Sequence, residues 1–374
     1  MLKVCLTGGP CSGKTTILSI LTQVLEDRGY TCLVCEEAAS SVILGGIKPF
    51  KNGMTMEEFQ QFVLDKQIAN EALFDKSIQY FDKDKLVIFY DRGLCDQMAY
   101  VTTDYLQSLL DEKNISLADA YSRYDCVFHL VTAAKGAREH YVWNDPTKED
   151  VGNNAARYET PEEAIALDER TLNAWIGHPH LKVFDNTTTF DGKVQRVIEE
   201  LFSALGEPIP KEIERKFLIK KPTEKEIETL GCISKTNIIQ TYLIRNDISV
   251  ERRIRQRGTK DTGYSFYYTE KKDIGNGERF ESEEKISQSD YISLLIESDP
   301  KLHPIVKTRY CFVHDNRHFE MDIYPFDDEY AILEIEVNHI DEEIAMPNVE
   351  VIKETTFDNR YRNNIIARTM TIKP

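Results

Sequence analysis

The first 205 residues alternate between short apolar runs and longer segments in which apolar residues recur at intervals of three and four. Short apolar runs indicate buried strands, and the three-and-four spacing indicates amphipathic helices. A chain that alternates strand and helix in this way builds a parallel sheet covered by helices. The predicted strands are 2–7, 31–37, 85–91, 125–132 and 181–186, and the clearest predicted helices are 14–28, 55–81 and 192–206.

The pattern changes after "GEPIP", residues 206–210. Strand-like runs then follow one another, and only one clear helical segment, 287–298, interrupts them. This predicts an α/β domain over 1–206 and a mostly antiparallel β domain over 207–374, with Pro208 and Pro210 marking the boundary. The predicted strands of the second domain are 211–219, 238–244, 251–257, 264–272, 279–286, 304–313, 317–325 and 330–338.

Charge and composition exclude several classes of partner. The net charge is -17, which argues against broad attraction to nucleic acid or anionic membrane, although local basic clusters can still bind phosphate groups. No nucleic-acid partner is therefore expected. No apolar run is long enough to span a membrane, and the N-terminus does not resemble a signal peptide. We predict a cytoplasmic protein, with peripheral membrane association left open.

The segment "GGPCSGKT" fits the phosphate-binding pattern G-x-x-x-x-G-K-[ST] and stands between a predicted strand and a predicted helix. Glycines at Gly8 and Gly13 let backbone N–H groups curl around phosphates, and the helix N-terminus adds positive potential. Lys14 is predicted to reach the terminal phosphates, as a catalytic and binding residue. Thr15 is predicted to hold Mg²⁺, and Thr16 to contact the nucleotide.

Charged residues near the predicted strand ends complete this first candidate site. Asp91 ends the third strand and is predicted to orient the metal and act in catalysis; the alternative is a loop Asp that caps the next helix. Arg92 and Glu37 are predicted to bind nucleotide or substrate groups. Arg157, between a polar loop and a helix, is predicted to close over phosphates from a lid, or is simply a surface Arg. No signature in the sequence distinguishes ATP from GTP.

A second candidate site comes from charged residues at alternating positions in seven predicted strands of the β domain. Alternating positions share one face of a strand, and for a single strand a wet sheet face explains the pattern. Like charges that recur strand after strand need a neutralising partner, and a divalent cation suits carboxylates while a polyphosphate suits Arg and Lys. If the sheet closes into a barrel, it can enclose both. The residues are Glu212, Glu214 and Lys216; Arg253, Arg255 and Arg257; Thr269 and Lys271; Arg279, Glu281 and Glu283; Lys307 and Arg309; Glu320 and Asp322; Glu334 and Glu336.

The motif "EIERK", the basic doublets, "LEIEV" and "TFDNRYRNNIIA" resemble the CYTH, or triphosphate tunnel metalloenzyme, superfamily over roughly 211–370. The resemblance implies an eight-stranded antiparallel β-barrel, with Lys216 and Arg309 in catalysis. It implies Mg²⁺ or Mn²⁺ on Glu212, Glu214, Glu334 and Glu336. Glu281 and Glu283 are expected to hold a second metal or to orient basic residues, and Asp322 is a further metal candidate. It implies that a triphosphate contacts Lys216, Arg253, Arg255, Lys271, Lys307 and Arg309.

The N-terminal half resembles ribosylnicotinamide-kinase-like P-loop ATPases through "GGPCSGKTT", "DRGLCDQMAY" and "NNAARYET". The two halves in this order resemble the TRPL-translocation-defect proteins. That resemblance implies GTP binding and recognition of phosphatidic acid or phosphoinositides in membrane-protein trafficking. Three hypotheses follow: a metal-dependent triphosphatase of inorganic or nucleoside triphosphate, a nucleotide-dependent lipid-binding switch, and a small-molecule kinase with a sensor domain. The complete acidic doublets favour the first, because lipid-phosphate binding alone needs only cations, whereas the resemblance over nearly the whole chain favours the second.

Overall fold

The structure is a computed structural model that describes residues 1–50, 53–141, 159–207, 214–231, 233–245, 250–275, 278–337 and 340–374, with the backbone alone for the described part of 272–282. The chain divides into two compact units, Met1–Leu201 and Phe202–Pro374. Within the described ranges, no helix is long and apolar enough to cross a membrane.

The first unit is a five-stranded parallel sheet with helices between the strands, as the sequence predicts. The strand order is β2-β3-β1-β4-β5, so β1 lies at the centre and its two neighbours come from different parts of the chain. The elements are β1 Leu2–Thr7, α1 Lys14–Glu26, β2 Thr31–Cys35, α2 Ala38–Leu44, α3 Met56–Ser77, β3 Leu86–Asp91, α4 Thr103–Asp111, α5 Leu117–Tyr121, β4 Cys126–Leu130, α6 Pro161–Asn173, β5 Leu181–Phe184 and α7 Phe190–Ala204.

This topology places the candidate phosphate site. All residues of β3 and β4 except Asp91 are buried, and so is β1 except for Lys3, because helices cover both faces of a parallel sheet. Leu6 of β1 stands in register with Asp91 of β3, so the loop after β1 and the loop after β3 leave the sheet at the same edge. In open α/β sheets, ligands bind at the carboxyl ends of the strands where the strand order reverses. The first candidate site lies at this edge.

The second unit is a nine-stranded antiparallel sheet in the order β10-β9-β8-β7-β11-β12-β13-β6-β14. The antiparallel prediction is confirmed, with nine strands in place of the predicted eight. Among the described residues no ladder joins the edge strands β10 and β14. The elements are β6 Glu214–Lys220, α8 Glu224–Glu228, β7 Ile233–Tyr242, β8 Val250–Thr259, β9 Gly263–Gly275, β10 Glu278–Ile286, α9 Gln288–Leu294, β11 Ile305–His314, β12 Arg317–Ile323, β13 Tyr330–Glu336, β14 Val351–Glu354 and α10 Asn363–Thr369.

The side chains of this sheet divide between an apolar face and a charged one. Phe217, Phe319, Leu333 and Ile335 belong to a buried apolar cluster, and most residues alternating with them, such as Lys216, Glu320, Glu334 and Glu336, are charged. We call the opposite side the charged face. Its described side chains include Glu214, Lys216, Arg253, Arg255, Arg257, Thr269, Lys271, Glu283, Lys307, Arg309, Glu320, Asp322, Glu334 and Glu336.

An aromatic cluster fixes the loop after β3. An ideal Cβ added to Gly93 would lie 2.8 Å from side-chain atoms of both Trp175 and Tyr124. The two rings meet edge to face at 5.4 Å, and the Tyr124 hydroxyl donates to Glu71 at 2.6 Å while accepting from Leu94 N at 2.9 Å. Because these partners hold Tyr124, the ring has little room to yield. Residue 93 must therefore be glycine, because a Cβ atom there would collide with the two rings.

We expect Gly93→Ala to destabilise the first unit by about 1–3 kcal/mol, the usual effect of overpacking a filled core. Urea unfolding followed by tryptophan fluorescence measures it, because both tryptophans of the chain, Trp143 and Trp175, precede residue 201. Gly45→Ala is the matched control: its φ is -68° and an added Cβ meets nothing closer than 3.4 Å. Equal unfolding midpoints for the two variants would contradict the clash.

Candidate functional site

The phosphate-binding loop between β1 and α1 has the backbone geometry of a phosphate cradle. Gly8 has a φ of +137°, and an added Cβ would lie 2.1 Å from Leu130 O, so the loop passes too close to the end of β4 for any side chain. Gly13 has a φ of +89° and stands at the N-cap of α1. Thr15 and Thr16 are exposed in the first turn of that helix. The predicted loop residues thus converge at one helix N-terminus, where anions bind.

Lys14 folds back over its own loop. Its Nζ donates to Gly8 O at 2.8 Å, to Gly9 O at 3.0 Å and to Ser12 Oγ at 3.2 Å. Burial, and next the nearby Arg92 guanidinium, lower the pKa of Lys14 to about 8. An ammonium held by neutral oxygens in a buried cradle is well placed to receive an anion, because a phosphate would supply the missing countercharge.

The predicted charged partners lie beside this lysine. Asp91 has a buried Oδ1 that makes no hydrogen bond to any described residue, and burial raises its pKa, with Glu37 and Asp96 adding to the effect. Arg92 has a φ of +71°, and its Nε donates to Glu37 Oε1 at 2.7 Å. Burial would raise the pKa of Glu37, but Arg92, Ser40 and Lys14 together outweigh it and the pKa is lowered. Arg157 lies outside the described residues.

Two buried carboxylates support the loops and were not identified from the sequence. Asp96 accepts from Gly93 N at 2.7 Å and from Trp175 Nε1 at 3.3 Å, and the Thr7 hydroxyl also donates to it. Asp168 of α6 accepts from Gly9 N at 2.6 Å. Asp96 could have been predicted from the sequence, because it follows Arg92 by four residues and this spacing brings two side chains together on one side of a helical turn. Asp168 becomes visible only in three dimensions.

On the charged face, opposite charges occupy neighbouring strands in register. Lys216 of β6 stands opposite Glu334 of β13, and Glu334 stands opposite Glu320 of β12. On the next pair of strands Arg309 of β11 stands opposite Asp322 of β12. Directly opposed residues on one face are close enough to pair. The register therefore sets the cationic strand β11 beside the acidic strand β12 and Lys216 of β6 beside the acidic strand β13, while β12 and β13, both acidic, lie side by side.

The charged side chains of this face form a network of ion pairs. Arg309 donates to Asp322 Oδ1 at 2.7 Å, to Asp322 Oδ2 at 2.6 Å and to Glu334 Oε2 at 2.8 Å, and it also contacts Glu320. Lys307 pairs with Asp322. Lys216 pairs with Glu334 and lies 2.8 Å from Glu214. Each of these cations thus has at least one carboxylate partner on an adjacent strand.

Burial and these contacts shift the pKa values of Glu334 and Glu214 in opposite directions. Burial would raise the pKa of Glu334, but Lys216 and Arg309 outweigh it and hold the pKa well below its usual range. Burial raises the pKa of Glu214, with repulsion from Glu334 adding to the effect. Burial lowers the pKa of Lys307, with repulsion from Arg309 as the next cause. The face therefore holds one strongly ionised carboxylate next to one that ionises less readily.

The remaining predicted residues of this site fall in several places. Arg253 is buried on β8, and Lys271 of β9 is half-buried. Arg255 pairs with Glu283 at 2.5 Å. Glu336 is exposed and stands opposite Glu214 in the ladder. Glu212 and the Glu281 side chain lie outside the described residues, and among the residues that are described no group of three His, Cys, Asp or Glu side chains could hold a metal ion.

A parallel sheet with a phosphate-binding loop after its central strand defines the first unit as a P-loop nucleotide-binding domain. The chain belongs to a family of AAA domains, whose model matches residues 3–193, just over half of the chain. Among curated proteins, none matches the chain.

Solved structures similar to part of the chain include two of the protein NE1496 and one of a protein from Pyrococcus horikoshii OT3. The inorganic triphosphatase NE1496 is 27% identical over 44% of this chain and 97% of its own length, with a TM-score of 0.30. A structure titled as the hypothetical protein NE1496 is 27% identical over 42% of this chain and 98% of its own, with a TM-score of 0.30. Protein PH1819 from Pyrococcus horikoshii OT3 is 20% identical over 34% of this chain and 81% of its own, with a TM-score of 0.28.

We expect Glu334→Gln to destabilise the second unit by about 3 kcal/mol at pH 7, because it uncovers buried charge on Lys216 and Arg309. Glu334 has a lowered pKa when folded, so its contribution is present above its unfolded value near 4.5 and is lost as the pH falls through the folded value. The difference from wild type should therefore shrink below about pH 4.5. Calorimetric unfolding at several pH values measures it.

The matched control for this variant is Glu350→Gln. Glu350 pairs with Lys220 at 3.3 Å, but both side chains are more than 60% exposed, so the same chemical change should alter stability little. A loss of stability that is equal for the two variants, or that does not depend on pH, would contradict a buried charge network centred on Glu334.

Proposed function

We propose that this protein binds a nucleoside triphosphate at its P-loop and hydrolyses inorganic triphosphate or a nucleoside triphosphate on the charged face of its second unit, with a divalent metal. The observation that carries the proposal is the meeting of acidic and basic side chains on one face. A face built only to bind an anion needs cations alone, whereas a metal-dependent phosphoryl reaction uses cations for the phosphates and carboxylates for the metal.

The cations of the charged face supply the phosphate-binding part of the proposed reaction. Lys307 and Arg309 share a strand, and Arg253 and Arg255 share another on the same face. Guanidinium groups bind phosphate oxygens through two parallel hydrogen bonds, and an ammonium adds a point charge. These side chains would orient the triphosphate and stabilise the negative charge that develops on the transferred group. Lys216 would do so from the acidic side of the face.

The residues present suit a divalent metal in their donor chemistry. Glu214 and Glu334 converge on Lys216, whose ammonium contacts both, so two carboxylates already share one cation. Oxygen donors of this kind suit Mg²⁺ and Mn²⁺. We propose that Glu214, Glu334 and Glu336, which do not form a metal site by themselves, hold the metal together with Glu212, which lies outside the described residues. When bound, such a metal supplies Lewis-acid polarisation of phosphoryl oxygens.

At the P-loop, the proposed metal partners are Thr15 and Asp91. The buried Asp91 Oδ1, which makes no hydrogen bond to any residue in the described ranges, is the supporting observation. A buried carboxylate oxygen without a donor is costly, and a metal-bound water would satisfy it. ATP and GTP are both candidates for this site. Binding of phosphatidic acid or phosphoinositides, and a role like that of the TRPL-translocation-defect proteins, stay predictions from the sequence resemblance.

Phosphate release from inorganic triphosphate, ATP and GTP, with Mg²⁺ or Mn²⁺, tests the proposal. We expect Glu214→Gln to reduce triphosphate hydrolysis by about 100-fold, since it removes a metal ligand. The protein should remain as stable as wild type, because repulsion with Glu334 is relieved. Glu350→Gln is the control with the same chemical change on an exposed side chain. Full activity of Glu214→Gln, or wild-type activity in the presence of a chelator, would contradict the proposal.

We expect Lys14→Ala to weaken ATP or GTP binding by roughly 1.5–3 kcal/mol, the contribution of one hydrogen bond to a charged group. Hydrolysis of inorganic triphosphate should be unchanged, because the two candidate sites lie in separate units. Calorimetric titration measures the affinity, and far-ultraviolet circular dichroism checks that the fold is retained. Wild-type affinity for both nucleotides in this variant would contradict the P-loop assignment.

A further inference from the structure

A second lysine lies beneath the P-loop, and it is more buried than Lys14. Lys193, in the first turn of α7, is only 2% exposed. Its Nζ donates to Val131 O at 2.8 Å, to Asn186 Oδ1 at 3.0 Å and to Ser12 O at 3.3 Å. All three acceptors are neutral. A buried ammonium is normally paired with a carboxylate, because burying an uncompensated charge is costly.

The three acceptors belong to the P-loop and to the segments that follow two neighbouring strands, β4 and β5. Ser12 lies within the P-loop, Val131 follows β4, and Asn186 follows β5. Asn186 in turn donates through Nδ2 to Thr132 O and to Lys135 O, both at 2.8 Å, and the Thr132 hydroxyl donates to Pro10 O at 2.5 Å. Lys193 therefore ties the P-loop to the neighbouring strand ends from the side opposite the phosphate cradle.

The geometry of one peptide bond links this lysine to the phosphate. In a trans peptide the C=O and the following N–H point in opposite directions. Lys193 contacts the Ser12 carbonyl, so the Gly13 N–H of the same peptide points away from it, as a P-loop glycine must to face a phosphate. A positive charge on the carbonyl side polarises the peptide and strengthens that N–H as a donor.

The charges around Lys193 leave it short of a countercharge. Burial lowers the pKa of Lys193 to about 8. The carboxylates of Asp168 and Asp185 act in the opposite direction, while Arg196 and Lys14 lower the pKa further. Lys193 is thus ionised at neutral pH at a cost that its hydrogen bonds only partly offset. A bound phosphate would raise this pKa by adding negative charge above the P-loop.

We propose that Lys193 is a positioning residue of the nucleotide site: it orients and polarises the Ser12–Gly13 peptide, and the bound phosphate is the countercharge of its buried ammonium. The proposal rests on nucleotide binding at the P-loop. It assigns Lys193 no contact with the nucleotide, because the P-loop backbone separates the two. The proposal predicts that the protein takes up a proton at Lys193 when it binds a nucleotide near pH 8.

The test compares Lys193→Met with wild type in calorimetric titrations with ATP and GTP at pH 8, in buffers of different ionisation enthalpy. We expect about tenfold weaker binding in the variant, from the loss of one charge-assisted contact to the loop. Proton uptake should be smaller in the variant by up to about half a proton, because a group with a pKa of about 8 is half-protonated at that pH in the free protein. Lys14 titrates in the same range and repels Lys193, so the comparison is repeated in the Lys14→Ala background, where the difference isolates Lys193.

Arg196→Met is the matched control. It removes one positive charge from the same helix, and Arg196 donates to Asp185 O at 2.8 Å, so it also contacts the loop after β5. We expect less than a twofold change in affinity. An effect as large as that of Lys193→Met would overturn the positioning role in favour of a general charge effect, and unchanged affinity and proton uptake in Lys193→Met would overturn the proposal outright.

Two further measurements cover the remaining outcomes. If Lys193→Met does not fold, Lys193→Arg keeps the charge and should retain affinity within a few-fold of wild type; a loss as large as tenfold there would overturn the charge role. The ¹⁵N shift of the Gly13 amide, followed against pH without nucleotide, should show a step near pH 8 that persists in Lys14→Ala and is lost in Lys193→Met. If the wild-type protein binds neither nucleotide, both the proposed nucleotide binding and the role of phosphate as countercharge are refuted. The pH dependence of the Gly13 ¹⁵N shift then still tests whether Lys193 polarises the Ser12–Gly13 peptide.

Discussion

A charge removed from water must find an opposite charge or several aligned dipoles, and this constraint shapes both units of the protein. In the second unit, period-two alternation puts the charged residues of successive strands on one face, and antiparallel register sets cationic strands beside acidic ones. Arg309 lies among Asp322, Glu320 and Glu334 for this reason. In the first unit, the parallel sheet buries its three central strands almost completely, and Lys14, Asp91 and Arg92 lie at one edge of it.

The two units satisfy the constraint in different ways, and this predisposes them to different ligands. Lys14 and Lys193 of the first unit donate to carbonyl, hydroxyl and amide oxygens, so an anion can bind without displacing a carboxylate. On the charged face, an anion that binds Lys307 and Arg309 must compete with Asp322. A triphosphate alone would then leave carboxylates without a partner, whereas a triphosphate with a divalent cation supplies both signs of charge. The internal pairs thus explain why the proposed reaction would require a metal.

The sequence predicted the class of each unit and the face on which the charges lie, because both depend on local periodicity. It predicted eight strands of the second unit and missed the ninth, Val351–Glu354, because a four-residue edge strand has too little alternation to stand out. It did not predict how charges pair across strands, since register depends on which strands become neighbours. Asp168 and Lys193 were missed for a related reason: each lies within a helical pattern, and only the tertiary fold brings it to the P-loop.

Lys193 breaks the rule that buried lysines are paired with carboxylates, although a carboxylate at Asn186 would have satisfied it. An Asp in that position would neutralise the ammonium permanently and remove the positive potential beneath the Ser12–Gly13 peptide. The amide oxygen of Asn186 instead holds the ammonium in place and leaves its charge available to act across the loop. A buried charge without a carboxylate partner lowers the stability of the fold, and such departures from the usual pairing are expected at functional sites. The incomplete neutralisation of Lys193 is therefore better explained by an anion that comes and goes than by the stability of the fold.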